Sequence, residues 1–135
     1  MKRLHLLTAV ILALSCVSLH AETFMTANIP FDFQLGKQAM PAGAYHIKCS
    51  PGLLMLQSPQ ASSAIVVLTT LKFRDQAPET GLLEFNHYGD TYFFSAIWAP
   101  NSVDGATVPK TSREKELAKA ARPGRVIGIA ASAHW

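Results

Sequence analysis

The chain is 135 residues long, with 12 Lys plus Arg against 9 Asp plus Glu, 49% hydrophobic residues and two cysteines. That length fits one small domain with a moderate core. The formal charge of +3 rests on Lys2 and Arg3, without which it falls to +1, so the concentrated basic surface that phosphate binding needs is missing and no nucleic-acid partner is expected.

The first element is a targeting segment. Lys2 and Arg3 precede the uncharged stretch LHLLTAVILALS, and Ser18-Leu19-His20-Ala21 leads into Glu22. A basic start, an apolar middle and a small residue at the cut are the layout of a secretory signal peptide. The apolar stretch is shorter than the roughly 20 residues that cross a hydrocarbon core, so the mature chain is expected to lack a transmembrane span. Cleavage between Ala21 and Glu22 predicts a periplasmic or secreted protein of residues 22–135 forming one β-rich domain, although Leu19 is bulkier than the Ala usual two positions before the cut. The alternative is a loose lipobox, Leu12-Ala13-Leu14-Ser15-Cys16. Cys16 would then be lipidated and would anchor the chain to the envelope, although Val-Ser-Leu after it lacks a polar tether. After cleavage at Ala21 only Cys49 remains, so no internal disulfide can form. Cys49 reads as a small buried hydrophobe, with a covalent dimer through it left open.

From Phe24 onward the residues alternate as strands do. Phe31, Phe33 and Leu35 share one face and Asp32 with Gln34 the other. Gly36-Lys37-Gln38 breaks the run, and Met40-Pro41-Ala42-Gly43 has the Pro and Gly placement of a type I turn. Tyr45, Ile47 and Cys49 then face opposite to His46 and Lys48. Ser50-Pro51-Gly52 predicts a second turn and Leu53 to Gln57 a short strand. AIVVLTTLKF, residues 64–73, is β-branched and apolar on both faces, so a central strand covered on both sides is expected there. A polar loop follows from Arg74 to Gly81.

In LEFNHYGDTYFF, residues 83–94, a Glu, a His, an Asp and two Tyr crowd together. A two-residue loop at Gly89-Asp90, with Gly first as in a type II′ turn, pairs Tyr88 with Thr91, His87 with Tyr92, Asn86 with Phe93, Phe85 with Phe94, Glu84 with Ser95 and Leu83 with Ala96. One face would carry Leu83, Phe85, His87, Tyr92, Phe94, Ala96 and Trp98. The other would carry Glu84, Asn86, Tyr88, Thr91, Phe93, Ser95 and Ile97. Residues three apart in a strand oppose one another, so Glu84 and His87 form no acid–base pair, and Asp90 serves the loop. The stretch predicts a hairpin rather than a catalytic cluster.

Ala99 to Pro109 predicts an irregular connection. Thr111-Ser112-Arg113-Glu114 is a capping-box pattern, in which Thr111 accepts the Glu114 amide and the Glu114 side chain reaches back. A helix is expected from about 112 to 122, stopped by Pro123-Gly124, with a closing strand over 126–131. Leu117 is its one large apolar residue, too thin a stripe for membrane insertion, so the helix should lie on the domain as a brace. The expected fold is mainly β: seven or eight short antiparallel strands in a small sandwich or barrel, plus one C-terminal helix.

No cofactor or metal site is expected. Of the mature-chain histidines 46, 87 and 134, His46 opposes Cys49 on its strand and His134 lies beside the chain end. Gly-x-Ser-x-Gly, phosphate-binding Gly loops and His-Glu-x-x-His are missing, and no visible pattern places a base near Ser62-Ser63.

Ile29-Pro30-Phe31-Asp32-Phe33, Gly36, Pro41-Ala42-Gly43-x-Tyr45, Tyr88-Gly89-Asp90-x-Tyr92-Phe93, Trp98 and Ser112-Arg113-Glu114-x-Glu116-Leu117 follow in order. Together they resemble a family of small exported proteins of acidobacterial and related soil bacteria, over roughly residues 26 to 120. The resemblance implies export and brings no activity with it. Members often carry His-Arg before Tyr-Gly-Asp where this chain has Asn86-His87, a departure that weakens a catalytic His at position 86. The expected function is a non-enzymatic envelope protein, a structural or interaction module for an unidentified envelope partner. A periplasmic binder of a small apolar ligand is the alternative, and a hydrolase a weaker third.

Overall fold

The computed structural model describes residues 22–59, 64–120 and 124–133. The expected targeting segment with Cys16 and Ala21, together with Ser62, Ser63 and His134, lies outside the described residues. The strands are β1 Thr23–Ile29, β2 Phe33–Leu35, β3 Gln38–Met40, β4 Gly43–Ser50, β5 Leu53–Gln57, β6 Ala64–Leu68, β7 Thr70–Phe73, β8 Gly81–Tyr88, β9 Thr91–Trp98, β10 Asp104–Thr107 and β11 Arg125–Ala133, with one helix, α1, at Ser112–Ala120. The protein is mainly β, a mixed sheet curled into a half-barrel.

Among the described residues eleven strands form where seven or eight were expected, because three predicted stretches are subdivided or ordered. Gly36, at φ +60°, turns β2 back on β3, so the break becomes a hairpin of its own. The run over 64–73 divides at Thr69. The supposedly irregular connection contains β10, which pairs with β7 on one side and β9 on the other.

The main path runs β3-β2-β9-β8-β11-β1-β4-β5-β6. β4, β5 and β6 form an antiparallel meander beside β1, with Pro51-Gly52 closing the β4–β5 hairpin and Gly52 at φ +79°. The β8–β9 hairpin and β11 form the other half, and β11 joins the two by bridging β8 to β1. Between β1 and β4 the β2–β3 hairpin makes an excursion onto β9, where Gln34 and Phe93 meet in the sheet's parallel contact.

Alternation places one side chain in two inside the curl, as strand geometry requires. Met25, Ile29, Phe33, Leu35, Tyr45, Ile47, Leu54, Leu56, Leu83, Phe85, Phe94 and Ile97 fill it, with Phe31, Cys49, Ile65 and Val67 against its margin. Phe33 and Phe85 meet edge to face at 5.4 Å, and Phe85 and Phe94 at 5.2 Å, the geometry favoured by the ring quadrupoles. The predicted faces of the Phe31-to-Leu35 and Tyr45-to-Cys49 stretches hold.

Two further expectations fail, both for tertiary reasons. The β8–β9 pairing follows the expected register from Tyr88↔Thr91 to Phe85↔Phe94, and Gly89 takes φ +58° as a type II′ loop needs. Beyond it a β-bulge intervenes, so Glu84 faces Ala96 rather than Ser95 and Leu83 faces Ile97 rather than Ala96. One additional residue in β9 exchanges the faces of all that follows it. Ile97 therefore enters the core, while Trp98 is buried on the opposite face. The second failure is the predicted central strand. β6 ends the strand order and β7 pairs only with β10 among the described strands. Both are edges, with Leu68 at 73% and Leu71 at 68% exposure.

Candidate functional site

The crowded stretch at residues 83–94 is resolved by its two faces. On the inner face, His87 stacks on Tyr92 at 4.0 Å and 3°, and Tyr92 stacks on Phe31 at 3.8 Å and 9°. The three rings form a column at the rim of the core, with Phe85 meeting Phe31 edge-on at 5.0 Å. Glu84 lies on the outer face, so the separation of Glu84 from His87 expected from strand parity is what the geometry has.

The outer face holds two carboxylate clusters. Glu84 Oε1 accepts the Trp98 indole N–H at 3.1 Å, and the Arg74 guanidinium lies 5.0 Å above the Trp98 ring. Arg74 Nη1 is 4.0 Å from Glu84 Oε1, an ion pair without a hydrogen bond. Gly105, opposite Trp98 in the β9–β10 pairing, leaves room for the ring: a Cβ there would sit 2.4 Å from Trp98 Cε3.

The second cluster fixes the helix. Thr111 Oγ1 accepts the Glu114 amide at 3.2 Å, the expected N-cap. The Glu114 side chain departs from the capping box. It turns inward, where its Oε2 accepts Asn86 Nδ2–H at 2.9 Å and the Tyr88 hydroxyl at 3.1 Å. Glu114 is the buried residue of α1, at 3% exposure, while Leu117 is only half-buried. The brace is therefore held by a buried carboxylate on two neutral donors. Burial, then the Glu114 charge and their hydrogen bond, push the Tyr88 hydroxyl pKa up.

Around the β2–β3 excursion lies a groove. One cavity of about 360 Å³ is lined by Asp32, Phe33, Gln34, Met40, Pro41, Asp90, Thr91, Tyr92 and Arg113 among others. A neighbouring one of about 340 Å³ is lined by Gln34, Gly36, Lys37, Phe93, Thr111, Ser112 and Arg113. Asp32 Oδ1 accepts the Ala42 amide at 2.8 Å, and the Tyr45 hydroxyl donates to the Pro41 carbonyl. Burial, and to a smaller degree the nearby Asp32 charge, raise the Tyr45 pKa.

A further surface feature is apolar. Leu53 pairs with Leu68 across β5 and β6, and Val66 lies two residues along on the same face; on β7, Leu71 and Phe73 stand opposite Ala106 and Asp104 of β10. All five are exposed, Phe73 at 65%.

No family model, curated protein or solved structure matches this chain. Its own geometry therefore carries the functional argument. Among the described residues, no group of three or more His, Cys, Asp or Glu could hold a metal ion. Cys49 is a free, half-buried thiol whose pKa burial raises, and His46 lies on the opposite face of β4. Among the described residues no helix is long and apolar enough to cross a membrane. Sequence reasoning missed the apolar edge because a run apolar on both faces fits a covered strand and an unpartnered one equally well. It missed the groove because Asp32, Lys37 and Asp90 come from three separate connections and Arg113 from the helix.

Proposed function

We propose that the chain is an exported, non-enzymatic interaction module that engages a protein partner of the cell envelope through the edge formed by β6 and β7. The observation that carries this reading is the exposure of Val66 and Leu68 on β6 and of Leu71 and Phe73 on β7, two edge strands. A single apolar side chain on a surface needs no explanation, whereas several large ones left exposed on two edge strands point to an interaction site. An edge strand also offers unpaired backbone N–H and C=O groups, so a partner strand can add to it while its side chains meet the exposed apolar ones. Export rests on the basic and apolar start of the sequence, and the resemblance to small exported proteins supports the same address.

A small apolar ligand inside the curl has less support, because Phe33, Leu35, Phe85 and Phe94 occupy that space. Hydrolysis also has less support: Glu84 and Glu114 are each engaged with neutral donors, and His87 is stacked in a ring column on the opposite face.

The test is site-directed photocrosslinking in an exporting host, with a photoreactive phenylalanine at Phe73 and, as control, at exposed Glu79. A discrete protein adduct from position 73 that Leu71→Ser abolishes is expected. Equal labelling from both positions, or none from 73, would overturn the reading. Intact mass of the recovered protein reads the address: a start at Glu22 indicates signal cleavage, and a diacylglyceryl group on Cys16 indicates the lipid anchor.

A further inference from the structure

We propose that the groove between the β2–β3 hairpin and the start of α1 binds a short acidic oligosaccharide, a ligand separate from the protein partner at the β6–β7 edge. The two cavities, about 360 and 340 Å³, share Gln34 and Arg113 and so adjoin at those side chains. Each is within the range of ligand sites, roughly 300 to 1,000 Å³.

The lining decides the ligand class. Carboxylate, carboxamide and guanidinium groups, here Asp32, Asp90, Gln34 and Arg113, are forked and can bond two adjacent hydroxyls at once, the arrangement a pyranose ring presents. Met40 and Pro41 supply apolar wall against which the C–H face of a sugar can rest. An apolar ligand would leave these charges desolvated without partners. A nucleic acid would bring its phosphates against Asp32 and Asp90.

Charge is distributed unevenly between the two cavities. Asp32 and Asp90 line one cavity, and Lys37 joins Arg113 in the other with no carboxylate among its lining residues. A ligand matching both is neutral and hydroxyl-rich at one end and anionic at the other, as an oligosaccharide with a uronic acid is.

The walls are also fixed in advance. Asp32 is held by the Ala42 amide, Pro41 by the Tyr45 hydroxyl, and Tyr92 between Phe31 and His87 at 3.8 and 4.0 Å. Groups ordered before binding lose less conformational freedom when the ligand arrives.

The experiment is an amide NMR titration of the exported protein with xylotriose carrying one terminal glucuronate, with neutral xylotetraose and with tetraglutamate. Saturable shifts at Gln34, Thr91 and Arg113 are expected from the glucuronate-bearing saccharide, weaker ones from xylotetraose and none from tetraglutamate. Arg113→Ala should weaken binding of the acidic saccharide by about tenfold or more, as loss of a charge-assisted bond does. Lys119→Ala, on the exposed last turn of α1, should leave it unchanged. No saturable shift from either saccharide at about 10 mM would overturn the proposal. Tetraglutamate binding as well as the acidic saccharide would reduce the site to general anion attraction and also overturn it. Xylotetraose binding more tightly than the acidic saccharide would overturn the acidic preference. None of these readouts depends on the β6–β7 edge.

Discussion

The β8–β9 hairpin and the β6–β7 segment are both apolar on two faces, yet the protein seals one and leaves the other open. In the hairpin, Leu83, Phe85, Phe94 and Ile97 face the core, and Tyr88, Phe93 and Trp98 on the opposite side are also buried. Three elements from later in the chain or across a loop provide the cover: α1 through Glu114, β10 through Gly105, and Arg74 over the indole. Along β6 and β7 only Ile65 and Val67 turn toward the core, and no described element lies over Val66, Leu68, Leu71 or Phe73. An apolar second face thus indicates a need for cover without saying who supplies it. For the hairpin the same chain does; for the edge we assign that part to a partner.

Substitutions can break this contrast. The largest effect is expected at Trp98, where Trp98→Ala empties a fully buried indole site and leaves Glu84 without its donor. A loss of about 3–5 kcal/mol is expected, read from the midpoint of urea unfolding. Glu114→Ala comes next. It strands the Asn86 amide and Tyr88 hydroxyl in a buried site, at a cost of about 1–3 kcal/mol. Hydrogen exchange should show the amides of α1 opening while those of β8 stay protected. Glu114→Gln keeps an acceptor and should recover part of the loss.

Alkaline pH attacks the same seal more gently. The folded-state pKa values of Tyr88 and Tyr45 lie above their ordinary 10.0, so the folded protein holds these protons more tightly than the unfolded chain. Their contribution is complete below pH 10 and is lost as the pH rises through the folded-state values. Tyr88→Phe should flatten the decline in thermal midpoint over that range, and an unchanged slope would remove Tyr88 from the account. The smallest effect belongs to the open segment. Leu68→Ser and Phe73→Ser should each change stability by less than about 0.5 kcal/mol, and Leu68→Ser should abolish the adduct crosslinked from position 73. A loss as large as that at Trp98 would mean that the protein itself covers this edge.

Local rules reached particular features of the protein. Gly89-Asp90 at the hairpin tip, the Pro51-Gly52 turn, the alternation of Tyr45, Ile47 and Cys49 with His46 and Lys48, and the Thr111 cap were legible because each depends on a few adjacent residues. So was the separation of Glu84 from His87, which follows from parity alone. The bulge beyond Phe85 was not legible, because it depends on how β9 meets β10 as well as β8. The direction of Glu114 was equally hidden, since its acceptor role is completed by Asn86 and Tyr88, 28 and 26 residues earlier. The groove needed the β2–β3 excursion to bring Asp32 and Lys37 beside Arg113. Composition, turn residues and period-two alternation were enough for a β-rich chain, its main turns and the residues that share a face. Only tertiary structure decided which apolar faces are covered, because cover is supplied by elements distant in the chain and a strand's own pattern carries no record of its neighbours.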